Sequence, residues 1–158
     1  MSEAATNKGK ILVVDDENYI LHILDFSLGA EGYEVITAED GEEAVRKAKE
    51  HKPDLVVLDV MMPKMSGFEV CRKLKGESAT AEIPVMMVTA LNELGDIERG
   101  VEAGTDEFLS KPVNKLELLT RVKSLLRAAG LRRQGDDKDA YIRDLERMLG
   151  RDGLTPEG

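Results

Sequence analysis

The sequence predicts an α/β fold, a doubly wound five-stranded parallel sheet with helices on both faces. Three observations predict it. Apolar runs of strand length recur along the chain, and a segment with helical periodicity follows each of them. Three of the runs (residues 11–14, 55–58 and 85–88) are continuously apolar rather than alternating, as strands covered on both faces are. The apolar residues are mostly aliphatic, with no Trp and 4% aromatics, which suits an α/β core better than an aromatic-rich β-sandwich.

Taken in order, the first strand is 11–14, and Ile20, Ile23, Leu24 and Leu28 then recur on one helix face, with Gly32 placed to end it. The second strand covers 33–38, and Ala44, Val45 and Ala48 form the stripe of a second helix. The third strand, 55–58, runs into Asp59. Phe68, Cys71 and Leu74 mark a third helix, closed by Gly76. A fourth strand at 85–88 precedes a helix around Ile97 and Val101 that ends near Gly104. Phe108 and Leu109 form the short fifth strand, and Leu116, Leu119, Val122 and Leu126 line a long fifth helix. Right-handed βαβ crossovers then give the flavodoxin-like strand order 2-1-3-4-5.

This domain is expected to occupy residues 10–128, after a flexible stretch at 1–9. An extra C-terminal helical segment or linker fills 129–158, where Gly130 and Gly135 interrupt the helical pattern. Tyr141, Ile142, Leu145, Met148 and Leu149 then make a second amphipathic stripe, too short to be stable alone in water. Docking on its own domain, pairing across a dimer and continuing into a linker helix all remain open for it. Residues 153–158 are expected to be disordered.

The charge of −9, from 31 acidic and 22 basic residues, disfavours non-specific contact with nucleic acid or anionic membrane. An apolar fraction of 42% supports a sizeable core. The one cysteine, Cys71, has no intramolecular partner and is expected to be a small buried hydrophobe. The polar first ten residues do not resemble a signal peptide, and no apolar run approaches the length of a membrane span. A cytoplasmic protein is expected.

In open parallel sheets the chemistry lies beyond the carboxyl ends of the strands. There the sequence delivers Asp15 and Asp16 after the first strand, Asp59 at the end of the third, Thr89 at the end of the fourth and Lys111 after the fifth. Singly, Asp16 or Thr89 can be a helix cap and Lys111 a surface lysine. Together they fit phosphoryl transfer. Three carboxylates offer hard oxygen ligands suited to Mg²⁺ or Mn²⁺. A cation there would let an anionic donor approach an anionic nucleophile. Asp59 can then become an acyl phosphate, with Lys111 and Thr89 pairing with phosphoryl oxygens.

These residues resemble the receiver domain of bacterial response regulators over roughly residues 10–127. The likeness is carried by Ile11-Leu12-Val13-Val14-Asp15-Asp16-Glu17, Leu58-Asp59-Val60-Met61-Met62-Pro63, Met65-Ser66-Gly67, Val88-Thr89-Ala90, Gly100 with Ala103-Gly104, and residues 106–112 through Lys111-Pro112. The resemblance implies that Asp59 accepts a phosphoryl group from a histidine kinase, a phosphotransfer protein or a small donor. It implies Mg²⁺ held by Asp16, Asp59 and the backbone carbonyl of Met61, with Asp15 acting through water. Thr89 and Phe108 fall at the switch positions, and the Lys111–Pro112 bond is expected to be cis. Met61 and Leu91 flank the path of the attacking water, and neither side chain can orient it, so slow hydrolysis is expected. Such an activity is phosphoryl acceptance with slow self-dephosphorylation rather than turnover of a small substrate.

Receivers commonly dimerise through the fourth helix, fifth strand and fifth helix, so a homodimer on that face is expected. The region after the fifth helix resembles the joint between receivers and effectors such as diguanylate cyclases. Residues 151–155 are similar to the Asp-x-Leu-Thr that opens those cyclase domains, although Pro156-Glu157-Gly158 does not continue it. A stand-alone regulator and the receiver part of a longer protein are both open. Of the rival classes, a haloacid-dehalogenase-type phosphatase needs Asp-x-Asp after the first strand, and a flavodoxin-like carrier needs a Ser/Thr/Gly-rich loop there. A pseudo-receiver acting only as an interaction module typically lacks an acid, the Thr or the Lys, and this sequence has them all.

Overall fold

The computed structural model of the chain describes residues 8–90 and 94–133. Five strands, β1 (Lys10–Val14), β2 (Glu34–Ala38), β3 (Leu55–Asp59), β4 (Val85–Thr89) and β5 (Glu107–Ser110), pair in parallel in the order β2-β1-β3-β4-β5. They alternate with α1 (Asn18–Gly29), α2 (Gly41–His51), α3 (Gly67–Lys75), α4 (Leu94–Ala103) and α5 (Lys115–Arg133). The expected fold and strand order hold.

The continuous apolar runs follow from double coverage. Successive side chains of a strand point to opposite faces. Leu12 and Val14 join Val56, Leu58 and Met87 in one core with Ala44 and Ala48 of α2, Phe68, Cys71 and Leu74 of α3, and Ala103 of α4. Ile11 and Val13 join Val57, Met86 and Val88 in the other, against Leu21, Leu24 and Leu28 of α1 and Leu118 and Val122 of α5. Each face therefore needs apolar residues at every second position, and both together need them at all.

Local signals set the helix ends. Ser66 and Glu69 form a reciprocal capping box on α3, Asp40 caps α2 through the Glu43 N–H at 2.8 Å, and Asn114 accepts from the Glu117 N–H at 2.9 Å to open α5. Beyond α4 the chain turns at Gly104 with φ +97, a left-handed conformation that suits glycine. Below the sheet, Asp106 accepts from the Val85 N–H (2.8 Å) and from Lys75 Nζ (3.0 Å), tying α3 to β4 and β5. The buried Thr80 hydroxyl donates to the Leu74 carbonyl at 2.6 Å, near the end of α3.

Three helix faces differ from the sequence expectation. On α1 the buried residues are Leu21, Leu24 and Leu28, while Ile23 is exposed. On α4, Val101 points outward and Gly100 and Ala103 face the core, because small residues let that helix approach β5 closely. On α5, Leu116 is exposed and Leu118 and Val122 are buried. Gly130 does not break α5, which runs on to Arg133, because Ala129 still packs against the body. The expected domain edge at 128 therefore falls inside a helix. The stripe at 141–149, Gly135, the stretch 151–158 and most of 1–9 lie outside the described residues.

A Cβ at Gly130 meets nothing within 4 Å. Gly130→Ala is expected to raise stability by about 0.5–1 kcal/mol through helix propensity alone, readable as a higher midpoint in urea unfolding.

Candidate functional site

The parallel register collects the site. Val14 pairs with Leu58, so Asp15 follows level with Asp59, and Asp59 in turn pairs with Val88, next to Thr89. Thr89 pairs with Ser110, and its carbonyl accepts from the Lys111 N–H at 2.9 Å. Four neighbouring strands thus end within one pocket at the carboxyl edge. Ligand oxygens of Asp15, Asp16 and Asp59 lie within 4.8 Å of one another. Lys111 Nζ stands 3.1 Å from Asp59 Oδ1 and 3.8 Å from Asp15 Oδ2. The Lys111–Pro112 peptide is cis.

Burial divides the cluster. Asp59 is 3% exposed and Asp15 2%, whereas Asp16 is exposed and Lys111 half-buried. Solvent therefore reaches the pocket from the side of Asp16 and Lys111. Burial raises the pKa of Asp15 to about 6, against the pull of the Glu17 N–H that donates to Oδ1 at 2.9 Å, and the charge of Asp59 adds to the rise. Burial likewise raises the pKa of Asp59, opposed by the Lys111 hydrogen bond and charge and by the Met61 N–H. Burial pulls the Lys111 pKa down, but Asp59 and Asp15 outweigh it and the net shift is upward. The pocket is short of positive charge, with three acids around one ammonium.

These groups fit a small hard cation. Two buried carboxylates stand beside an exposed third, their oxygens close enough to share one ion, and burial raises the pKa of the two, so a cation that offset their charge would favour the ionised form. Thr89 is 4% exposed, at the end of β4. Phe108 is partly buried and packs on the α2–α3–α4 core with its ring against Gly100 and Met87. Met61 is 65% exposed on the loop after β3. Leu91 lies outside the described residues.

Some supporting residues fall in the family-like segments, but their roles are visible only in three dimensions. Glu107 Oε2 pairs with Arg121 at 2.6 Å while its Oε1 accepts from the Phe108 N–H at 2.9 Å, fixing β5 to α5. Gly67 is another such residue. A Cβ there would lie 2.7 Å from Val60 Cα and closer still to the Asp59 carbonyl, and the Gly67 N–H donates to the Val60 carbonyl at 2.9 Å. Backbone cannot yield as a side chain can. Gly67→Ala is expected to cost about 2–3 kcal/mol in urea unfolding and to displace Asp59.

The family model for the response regulator receiver domain matches residues 11–123. Over 118 residues the chain is 49% identical to the alkaline phosphatase synthesis transcriptional regulatory protein PhoP of Bacillus subtilis, covering 75% of this chain and 48% of that protein. It is also 49% identical over 118 residues to the response regulator PleD of Caulobacter vibrioides, covering 75% of this chain and 26% of PleD. Among solved structures, the signal receiver domain of a signal transduction histidine kinase from Syntrophus aciditrophicus superposes with a TM-score of 0.72 at 38% identity. That match covers 76% of this chain and 91% of the other. The chain thus spans about half the length of PhoP and about a quarter of PleD. With the sheet order, the acidic pocket and a match across most of its length, the chain belongs to the response regulator receiver family of two-component systems.

Proposed function

We propose that this receiver takes a phosphoryl group from a histidine kinase or phosphotransfer protein onto Asp59, with Mg²⁺ or Mn²⁺, and changes conformation in response. The observation that carries the reading is Asp59 itself, ending a core strand between Lys111 at 3.1 Å and two further acids. An ionised carboxylate is needed for attack, and Lys111 and the Met61 N–H favour that form against burial. One Asp59 oxygen forms a bond to phosphorus as the P–N bond of the donor phosphohistidine breaks, and the departing imidazole takes up a proton. Asp15, Asp16, Asp59 and the Met61 carbonyl would hold the cation, which when bound neutralises charge on the transferring phosphoryl group. Lys111 pairs with a phosphoryl oxygen, and the Thr89 hydroxyl donates to another. Movement of Thr89 toward the phosphoryl group frees space for the Phe108 ring.

Acetyl phosphate with Mg²⁺ tests the reading on the full chain. Intact mass is expected to show one phosphate-sized adduct, mapped to the peptide containing Asp59. No adduct in Mg²⁺, or one mapped elsewhere, would overturn the assignment. The side chain of Met61 is no base, so the adduct is expected to last minutes or longer at neutral pH. A half-life of seconds in Mg²⁺ would remove the slow-hydrolysis reading.

The α4–β5–α5 face is the proposed homodimer contact. It carries the exposed Val101 and Leu116 and a shallow groove of about 590 Å³ beside Glu117, Thr120 and Arg121. Sedimentation with and without beryllofluoride reads it, and an unchanged mass would remove it. A cytoplasmic setting is proposed from the family; among the described residues no helix is long and apolar enough to cross a membrane. PhoP is named a transcriptional regulatory protein. For this chain, the charge of −9 disfavours non-specific contact with nucleic acid.

A further inference from the structure

Among the described residues Met61 is the one methionine that stands largely in solvent. Met62, Met86 and Met87 are buried, and the half-buried Met65 packs on the core with its sulfur beside Gly41. The loop after β3 holds Met61 outward. Its two neighbours, Val60 and Met62, are both sunk in the core. The Val60 N–H donates to the Val88 carbonyl at 3.3 Å, and the Val60 carbonyl accepts from the Gly67 N–H at 2.9 Å, so the backbone is tied on both sides.

Met61 also borders the acidic pocket, because its N–H donates to the Asp59 carboxylate. Asp59 is buried, so water reaches a phosphoryl group on it only past the residues around that carboxylate that meet solvent. Among the described residues these are Asp16, Lys111 and Met61. A thioether is a weak acceptor and donates nothing. Its two-electron oxidation product differs sharply, because a sulfoxide carries a strongly accepting oxygen on a side chain of similar length.

We propose that Met61 is an oxidative modification site, and that peroxide converts it to a sulfoxide whose oxygen orients water toward the acyl phosphate and shortens its life. The inference rests on the reading of Asp59 as the acceptor. In the oxidation the sulfur lone pair attacks one peroxide oxygen, the O–O bond breaks, and the departing hydroxide leaves as water with the remaining proton. Sulfur is oxidised by two electrons and hydrogen peroxide is reduced. Cys71 does not compete: it is buried, and burial pushes its thiol up to about 11, so it holds almost no reactive thiolate at neutral pH.

Brief treatment of the full chain with dilute hydrogen peroxide tests this. Intact mass and peptide mapping are expected to show oxygen added at Met61 ahead of Met65. Treated and untreated chains are then loaded with acetyl phosphate and Mg²⁺, the donor is removed, and loss of the adduct is followed. The oxidised chain is expected to lose its phosphate at least about fivefold faster, still short of the roughly 10²–10⁴-fold of an efficient general base. A methionine sulfoxide reductase should restore the slower decay. In Met61→Leu, peroxide should leave that variant's own decay unaltered, and Met61→Gln, with an amide oxygen at similar reach, should decay faster than Met61→Leu without peroxide. Equal decay in treated and untreated chains overturns the proposal, as does oxidation of Met65 first, or a peroxide effect that persists in Met61→Leu. Absence of an adduct in both chains instead overturns the reading of Asp59, and this proposal with it.

Discussion

Asp59→Asn is expected to acquire no phosphate from acetyl phosphate and Mg²⁺, under conditions in which the unsubstituted chain gains one adduct by intact mass. The amide keeps the shape of the carboxylate and can still accept from Lys111 and from the Met61 N–H, so the fold should persist with unchanged circular dichroism. It lacks the anionic oxygen that attacks phosphorus, and no acyl phosphate can form through it. The loss should therefore be complete rather than partial, which separates it from the effect of Lys111→Ala, where a positive charge is lost but the nucleophile remains. An adduct surviving on Asp59→Asn would move the acceptor to Asp15 or Asp16. The same substitution distinguishes a working receiver from a pure interaction module, which would show no adduct in either chain.

The second large effect is on stability. Asp15 titrates at about 6 in the folded chain against 3.8 for an ordinary carboxyl. Between about pH 4 and 6 the folded carboxyl holds a proton that the unfolded chain has already released. The folded state binds more protons, so this group's contribution to stability falls as pH rises through that window, by about 2–3 kcal/mol in total. The whole cost is present above pH 6. Asp15→Asn should therefore unfold at higher urea than the unsubstituted protein at pH 7.5 in EDTA, and the gap should close by pH 4. Comparing the two chains cancels groups such as Glu43, whose lowered pKa, set mainly by the Glu39 N–H, works in the opposite direction. Added Mg²⁺ should recover stability in the unsubstituted chain and much less in Asp15→Asn. A pH-independent gap, or none, would refute the account of Asp15.

The sheet and its chemical edge were legible because each depends on residues adjacent in sequence. A strand buried on both faces writes itself as a run of apolar residues, and the acids and Lys111 sit directly at the ends of such runs. The helix faces were harder. On α1 and α5 nearly every turn offers several large aliphatic residues, so periodicity alone does not choose Leu21 over Ile23, or Leu118 over Leu116. On α4 the contact is made by Gly100 and Ala103, and a search for large residues selects the exposed Val101 instead. Gly67, Asp106 and Glu107 act through partners distant in the chain or through an atom they lack. Asp106 to Lys75 spans 31 residues, and nothing near either position announces the other.

The seat of Phe108 has a mechanical consequence. A Cβ at position 100 would stand 2.7 Å from the Phe108 Cε1, so the missing methyl of Gly100 is the notch in which the ring rests. A flat ring in a fitted notch behaves as a detent. It is held while seated, and partway out it meets the shoulders of the groove with no compensating contact. Motion of β5 against α4 should therefore come in two discrete positions rather than a continuum, and the sharpness of any response at this edge of the molecule would be set by a single absent carbon.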